Sequence, residues 1–192
     1  MRVIAGRLGG RRLRAPAGRT TRPTSDRVRE AVFSMLGELA GARVLDLFAG
    51  TGALGIEALS RGAHSAVFVE RDPGAARVLE GNLTALGLLG AGAELRRQDA
   101  LAALDYARGR GETYDLVFID PPYGRARAKP TAAAAPPAER WGPRLSASLP
   151  PLLAPGARVV VESDRRAPVE LELELERTRR YGDTSIRIHL QP

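Results

Sequence analysis

The sequence predicts an α/β protein built on a parallel sheet with helices on both faces. Two observations carry that prediction. From Arg43 onward, short apolar runs alternate with stretches of helical spacing, and one strand-to-helix junction is glycine-rich. Apolar strands that alternate with helices must be covered on both sides, which favours parallel pairing.

The strand candidates are Arg43–Phe48, Ala66–Glu70, Ala93–Arg97, Tyr114–Ile119 and Ala157–Glu162. The helical stretches between them are Leu54–Arg61, Gly74–Leu86 and Ala100–Arg108. Before this region, Arg2–Ala5 and Arg11–Arg14 flank Gly9-Gly10 and read as a small hairpin. Thr24, Ser25 or Asp26 then caps a helix whose apolar positions are Val28, Val32, Met35, Leu36 and Leu39, with Arg27 and Arg29 on other faces. Residues 125–140 are an alanine- and proline-rich loop, and a helix resumes around Trp141–Leu153. In the tail, Val169, Leu171, Leu173 and Leu175 alternate with four glutamates. That period of two predicts a strand, hairpin-paired with Thr184–Leu190 across Gly182-Asp183.

Composition narrows the chemistry. With no cysteine among 192 residues, disulfides, thiolate metal sites and cysteine nucleophiles are excluded. The two histidines, His64 and His189, are too few for a histidine-rich metal site, so no metal is expected. No signal peptide or long apolar segment is visible, which makes a cytoplasmic protein the expectation. The net charge of +7 is concentrated: residues 1–30 hold nine arginines and two acids, and the rest of the chain is balanced. Such a block suits a polyanion, of which nucleic acid is the common one. A basic extension over 1–40 and a second domain over 41–192 follow.

The glycine loop lies in Val44–Gly55, where Gly50, Gly52 and Gly55 fit G-x-G-x-x-G and Glu70 ends the next strand. A dinucleotide site has the same form. Asp46, four residues before Gly50, shifts the balance: it suits an ammonium group and repels a pyrophosphate. S-adenosylmethionine carries an ammonium and a sulfonium without phosphate. Glu70 would accept ribose hydroxyls from either cofactor, and Asp99 either accepts an adenine amino group or caps a helix.

The strand Tyr114–Ile119 runs into Asp120-Pro121-Pro122-Tyr123. An acid at that end lies where open α/β sheets bind ligands. The Asp120 carboxylate and the Pro121 carbonyl are two acceptors on a stiff turn, and Tyr123 offers a flat face. Together they suit a planar base with an exocyclic amino group. His64, Trp141 and His189 are expected to pack or lie on the surface.

With these motifs in place, the chain resembles the RsmD family of bacterial methyltransferases over nearly its whole length. The resemblance rests on Arg2–Gly6, Gly10–Leu13, Arg22–Glu30, Asp46–Gly55, Glu70, Asp99, Asp120–Tyr123 and Tyr181–Thr184. It implies a class I S-adenosylmethionine-dependent methyltransferase, with a Rossmann-like seven-stranded sheet whose last strand is antiparallel. It implies methylation of the N2 amino group of one guanine in 16S rRNA, in a small subunit or assembly intermediate; nothing in the sequence demands a dimer, so a monomer is expected. Asp120, Pro121 and Tyr123 would be catalytic. Asp46, Phe48, Gly50, Thr51, Gly52, Glu70, Arg71, Asp99, Ala100 and Asp120 would hold the cofactor. Arg7, Arg11, Arg12, Arg22, Thr24, Arg27 and Arg29 would hold RNA. The Asp-Pro-Pro-Tyr motif also occurs in adenine-N6 methyltransferases, which leaves that activity on DNA or RNA as the alternative.

Overall fold

The computed structural model describes residues 1–15, 25–121 and 137–192. The elements, in chain order, are α1 (Asp26–Leu36), β1 (Arg43–Asp46), α2 (Ala53–Ser60), β2 (Ser65–Val69), α3 (Pro73–Ala85) and β3 (Ala93–Arg96). They continue with α4 (Ala100–Gly109), β4 (Tyr114–Ile119), α5 (Pro137–Ser148), β5 (Leu153–Asp164), β6 (Glu174–Tyr181) and β7 (Thr184–Leu190). The strands form one seven-stranded sheet in the order β3-β2-β1-β4-β5-β7-β6. The first five are parallel, and β7 runs antiparallel between β5 and β6.

Two apolar layers cover the sheet. One face carries α1 and α2, with Val28, Val32, Phe33 and Ile56 packed over Val44, Phe68, Phe118 and Val160. The other carries α4 and α5, with Leu104 and Leu145 over Leu45, Val117 and Val161. Val3, Leu8 and Leu13 of the N-terminal hairpin enter the first layer beside Ile56 and Phe68.

The N-terminal hairpin forms as expected: Val3 N–H donates to Arg11 O at 2.9 Å, and Arg2 pairs antiparallel with Arg12. It also closes the C-terminal end of α2. Arg7 N–H donates to Ser60 O at 2.8 Å and Leu8 N–H to Ser60 Oγ at 3.0 Å. Of the three candidate caps for α1, Ser25 is used, its Oγ accepting from Val28 N–H.

Three sequence expectations need correction. The alternation at Val169–Glu176 marks the strand too early, since β6 starts only at Glu174. Val169 and Leu171 are buried, but in an extended segment against α5, where Glu172 N–H donates to Ser146 Oγ at 2.9 Å. Leu175 is on the exposed edge strand, not on a buried face. Residues 137–140 are helical and not loop: Pro137 opens α5, a position that suits its fixed φ and missing N–H. Pro143 is tolerated inside that helix, which stops at Ser148 before a 3-10 turn over Pro150–Leu152. β5 follows that turn directly, so it begins four residues earlier than Ala157.

Candidate active site

The glycine loop is built by close packing. Gly52 adopts φ 82°, and a Cβ there would lie 2.3 Å from Leu79 Cδ1. A Cβ on Gly55 would lie 2.3 Å from Phe68 Cε1 on β2. A side chain at Gly55 would push α2 away from the sheet, and one at Gly52 would strain a positive-φ turn and press on Leu79 of α3.

Asp46 ends β1 and is buried. Its Oδ2 accepts from Gly55 N–H at 3.0 Å. The amide that a pyrophosphate would seek at the start of α2 is therefore taken by a built-in carboxylate. Glu70 locks the same loop: Oε2 accepts from Gly50 N–H at 2.9 Å, and Oε1 from Asp72 N–H at 2.7 Å. Each Glu70 oxygen keeps a second lone pair for a hydroxyl.

Asp120 follows β4, with Pro121 buried after it. Burial, and then the charges of Glu162 and Asp46, hold the Asp120 carboxyl well above the usual carboxylate range. Burial also pushes Asp46 up to about 7; the Gly55 amide opposes that rise and the charge of Glu70 adds to it. Four carboxylates thus gather where β1, β2, β4 and β5 end. A site of this sign fits a cationic ligand and opposes a diphosphate.

The remaining cofactor candidates lie just after β1, β2 and β3. Asp99 caps α4 through Leu101 N–H at 3.0 Å, and its Oδ2 lies 3.7 Å from Arg71 Nη1. Ala100 is the buried first residue of that helix. Phe48 meets Trp141 edge-on at 4.9 Å. Trp141 and His189 are buried, as packing residues should be, and His64 is exposed. His189 Nδ1 lies 3.2 Å from Leu173 O, and burial lowers its pKa against the opposing effect of that contact. Tyr123 lies outside the described residues.

Of the arginines expected to hold RNA, Arg7, Arg11, Arg12 and Arg27 are exposed. Arg22 and Thr24 lie outside the described residues. Arg29 contradicts the expectation: its side chain is fully buried. It donates to Arg2 O and to Asp26 Oδ1, and its Nε lies 3.9 Å from Glu57 Oε2. Glu57, also fully buried, accepts from Ile4 N–H at 2.7 Å, Ala5 N–H at 3.0 Å and Arg61 Nε at 2.7 Å. Arg29 therefore anchors the N-terminal segment to α2 and cannot reach a phosphate from this position.

Sequence reasoning missed three residues. Glu162 is one, although it closes the predicted strand Ala157–Glu162, and the rule applied to Asp120 would have found it. Glu57, inside an apolar helix, is the second. The third is Asn82 on α3, buried, with no motif around it. Its Nδ2 donates to Thr51 O at 3.0 Å and to Arg14 O at 3.1 Å, and its Oδ1 accepts from Arg14 N–H at 2.8 Å. Nearby, Thr51 Oγ1 lies 3.9 Å from Met1 Sδ. Met1 also lines an open groove of about 530 Å³ with Arg2, Gly10, Arg12, Leu13 and Asp26.

The sheet order, the glycine loop that opens α2 and the acids at the strand ends define the class I methyltransferase fold. The family model described as "Conserved hypothetical protein 95" matches residues 1–190, and the chain belongs to that family, the RsmD family. YlbH of Bacillus subtilis is 48% identical over 130 residues, covering 67% of this chain and 70% of that protein. "Ribosomal RNA small subunit methyltransferase D" of Escherichia coli K12 is 39% identical over 132 residues, 68% of this chain and 64% of that protein. The aligned stretches thus span about two thirds of these curated relatives. Among solved structures, a hypothetical protein of Thermus thermophilus superposes with a TM-score of 0.77 at 30% identity, covering 98% of both chains. A T. thermophilus "16S rRNA N2 G1207 methyltransferase (RsmC) in complex with AdoMet and Guanosine" shares the fold, with a TM-score of 0.65 at 23% identity over 92% of this chain and 44% of that one.

Proposed function

We propose that this protein methylates the exocyclic N2 amino group of a guanine in 16S rRNA, using S-adenosylmethionine. The observation that carries the proposal is the placement of Asp120 beside Glu162 and Asp46, at the strand ends that also hold the glycine loop. The name of the E. coli relative supports the small-subunit rRNA substrate. The guanosine held by the structurally similar T. thermophilus enzyme is in keeping with the base.

S-adenosylmethionine, when bound, supplies a methyl carbon on a sulfonium. The residues fit such a cation. Asp46, buried at the end of β1, would take the ammonium group, and Glu70, whose oxygens each keep a lone pair, would take ribose hydroxyls. Asp99, Arg71 and Ala100 would border the adenine, and Phe48, Gly50, Thr51 and Gly52 would line the rest of the cofactor site. Asp46 already fills the start of α2, which counts against a nicotinamide dinucleotide.

On the substrate side, the Asp120 carboxylate and the Pro121 carbonyl accept the two amino hydrogens and turn the nitrogen lone pair out of the ring plane. Tyr123 is assigned the stacking face from its place in the sequence. The nitrogen–carbon bond forms as the carbon–sulfur bond breaks, and the bonding pair leaves with sulfur. The surplus N–H proton then departs, and Asp120, whose surroundings raise its basicity, is the base placed to take it. Most of the rate gain comes from position and charge placement. Residues 1–40 hold the RNA, through exposed Arg7, Arg11, Arg12 and Arg27 and through Arg22 and Thr24. Among the described residues, no helix is long and apolar enough to cross a membrane.

The test is methyl-labelled S-adenosylmethionine offered with unmodified 30S particles, free 16S rRNA and duplex DNA, followed by digestion to nucleosides. Label in N2-methylguanosine from rRNA alone is the expected result. Label in N6-methyladenine would keep the fold and the cofactor and overturn the substrate.

A further inference from the structure

The charge balance of residues 31–192 conceals a separation along β6. At one end, Glu174 pairs with Leu190, and Glu176 sits at the register shift between Leu175 and Arg177, where its Oε2 lies 3.3 Å from Arg158 Nε on β5. At the other end come Arg177, Arg179 and Arg180, all exposed. Exposed Arg165 joins them from the turn after β5, where its N–H donates to Asp183 O at 2.8 Å. The neighbouring acids are engaged elsewhere: Asp183 lies 3.8 Å from Arg166, and Glu170 2.9 Å from Arg187. Among the described residues, Arg165, Arg177, Arg179 and Arg180 have no carboxylate partner.

The register places this basic end beside the site. Ile119 pairs with Val161, so Asp120 follows at the level of Glu162. Glu162 pairs with Ile186, and Ile186 with Arg179. Glu162, Ile186 and Arg179 thus form one row, with Arg179 about 10 Å from Glu162 across two strand spacings. Arg177 and Arg179 share the face of Ile188 and Ile186, the face that α1 covers. Exposed Arg27 lies on α1.

The carboxylates of the site repel a phosphate backbone, so a strand that presents a base to Asp120 must be held by cations flanking the site. The N-terminal segment supplies them on the glycine-loop side, where Arg14 is tied to Thr51 through Asn82. The geometry points to the Arg165/Arg177/Arg179/Arg180 edge as the second RNA-phosphate contact surface, on the opposite side of Asp120. This rests on the rRNA reading given above. An edge strand that carries arginines also resists pairing with another chain, but that role calls for charge anywhere along the strand, not for its concentration at the catalytic end.

The test is the full-length R177Q/R179Q/R180Q variant against the wild type, with binding to a 16S rRNA transcript and to 30S particles measured across a KCl series. The salt slope should fall by about 2, at roughly 0.7 per lost phosphate contact, and affinity at physiological salt should drop on the order of tenfold. S-adenosylmethionine affinity and thermal midpoint should not change, and the triple lysine variant should retain the wild-type slope. An unchanged slope and affinity in the glutamine variant overturns the surface. A loss on 30S particles with none on free rRNA also overturns it, by assigning the edge to a ribosomal protein. The binding assay does not depend on turnover: a wild type that labels no rRNA refutes the proposed function, and the salt series still decides the surface.

Discussion

Asn82 Nδ2 donates to Thr51 O at 3.0 Å, and the same amide group is bonded to the backbone of Arg14 on both sides. One buried side chain therefore fixes the glycine loop and the end of the N-terminal hairpin together. Replacing it with alanine leaves Arg14 N–H and Thr51 O without their partner, at about 1–3 kcal/mol for a buried polar group. Asn82→Ala should weaken S-adenosylmethionine binding on the order of tenfold by loosening the loop. Calorimetric titration of the folded variant checks this, and unchanged affinity would show that the loop holds its shape without Asn82.

Arg29 and Arg27 should separate cleanly. Arg29→Gln removes a fully buried cation from the Asp26–Glu57 network and should cost about 3–5 kcal/mol of stability, as breaking a buried ion pair does. It should leave the salt slope of RNA binding at the wild-type value. Arg27→Gln, at an exposed position, should leave the melting temperature alone and flatten that slope by about 0.7. Paired thermal melts and salt titrations read both variants, and a reversed pattern would mean that Arg29 leaves its buried position to meet RNA.

Asp46 gives the free protein a pH signature. Its folded pKa of about 7 lies above the ordinary aspartate value of 3.8, so between about pH 4 and pH 7 the native state holds a proton that the unfolded chain has released. Stability therefore declines as pH rises across that window and levels off above it. Asp120 is shifted in the same direction. A cationic ligand reverses the preference: its binding to ionised Asp46 should strengthen with pH by up to about tenfold per unit below 7, then flatten. Titrations from pH 5.5 to 8.5 check this, and the Asp46→Asn variant should lose that component of the slope.

The sheet was legible because β1, β2, β4 and β5 are largely buried apolar runs, set off by helical stretches. The glycine loop and Asp120 were legible because their chemistry is local: a turn with fixed spacing, and an acid at a strand end. The tail misled because Val169, Leu171 and Leu173 keep a period of two while packing on α5, so the alternation reports burial and not ladder bonds. Arg29 misled because a guanidinium in a basic block looks like its neighbours until Glu57, 28 positions along the chain, is seen to face it. Asn82 was invisible because its partners, Thr51 and Arg14, are 31 and 68 positions away.

The central claim is that Asp120 accepts the substrate amino group in a methyl transfer whose cofactor it does not hold alone. The direct test is turnover by Asp120→Ala on the best rRNA substrate, at saturating S-adenosylmethionine, with cofactor affinity measured on the same preparation. The predicted result is loss of methyl transfer with cofactor affinity within a few-fold of the wild type. Normal turnover by that variant would contradict the claim.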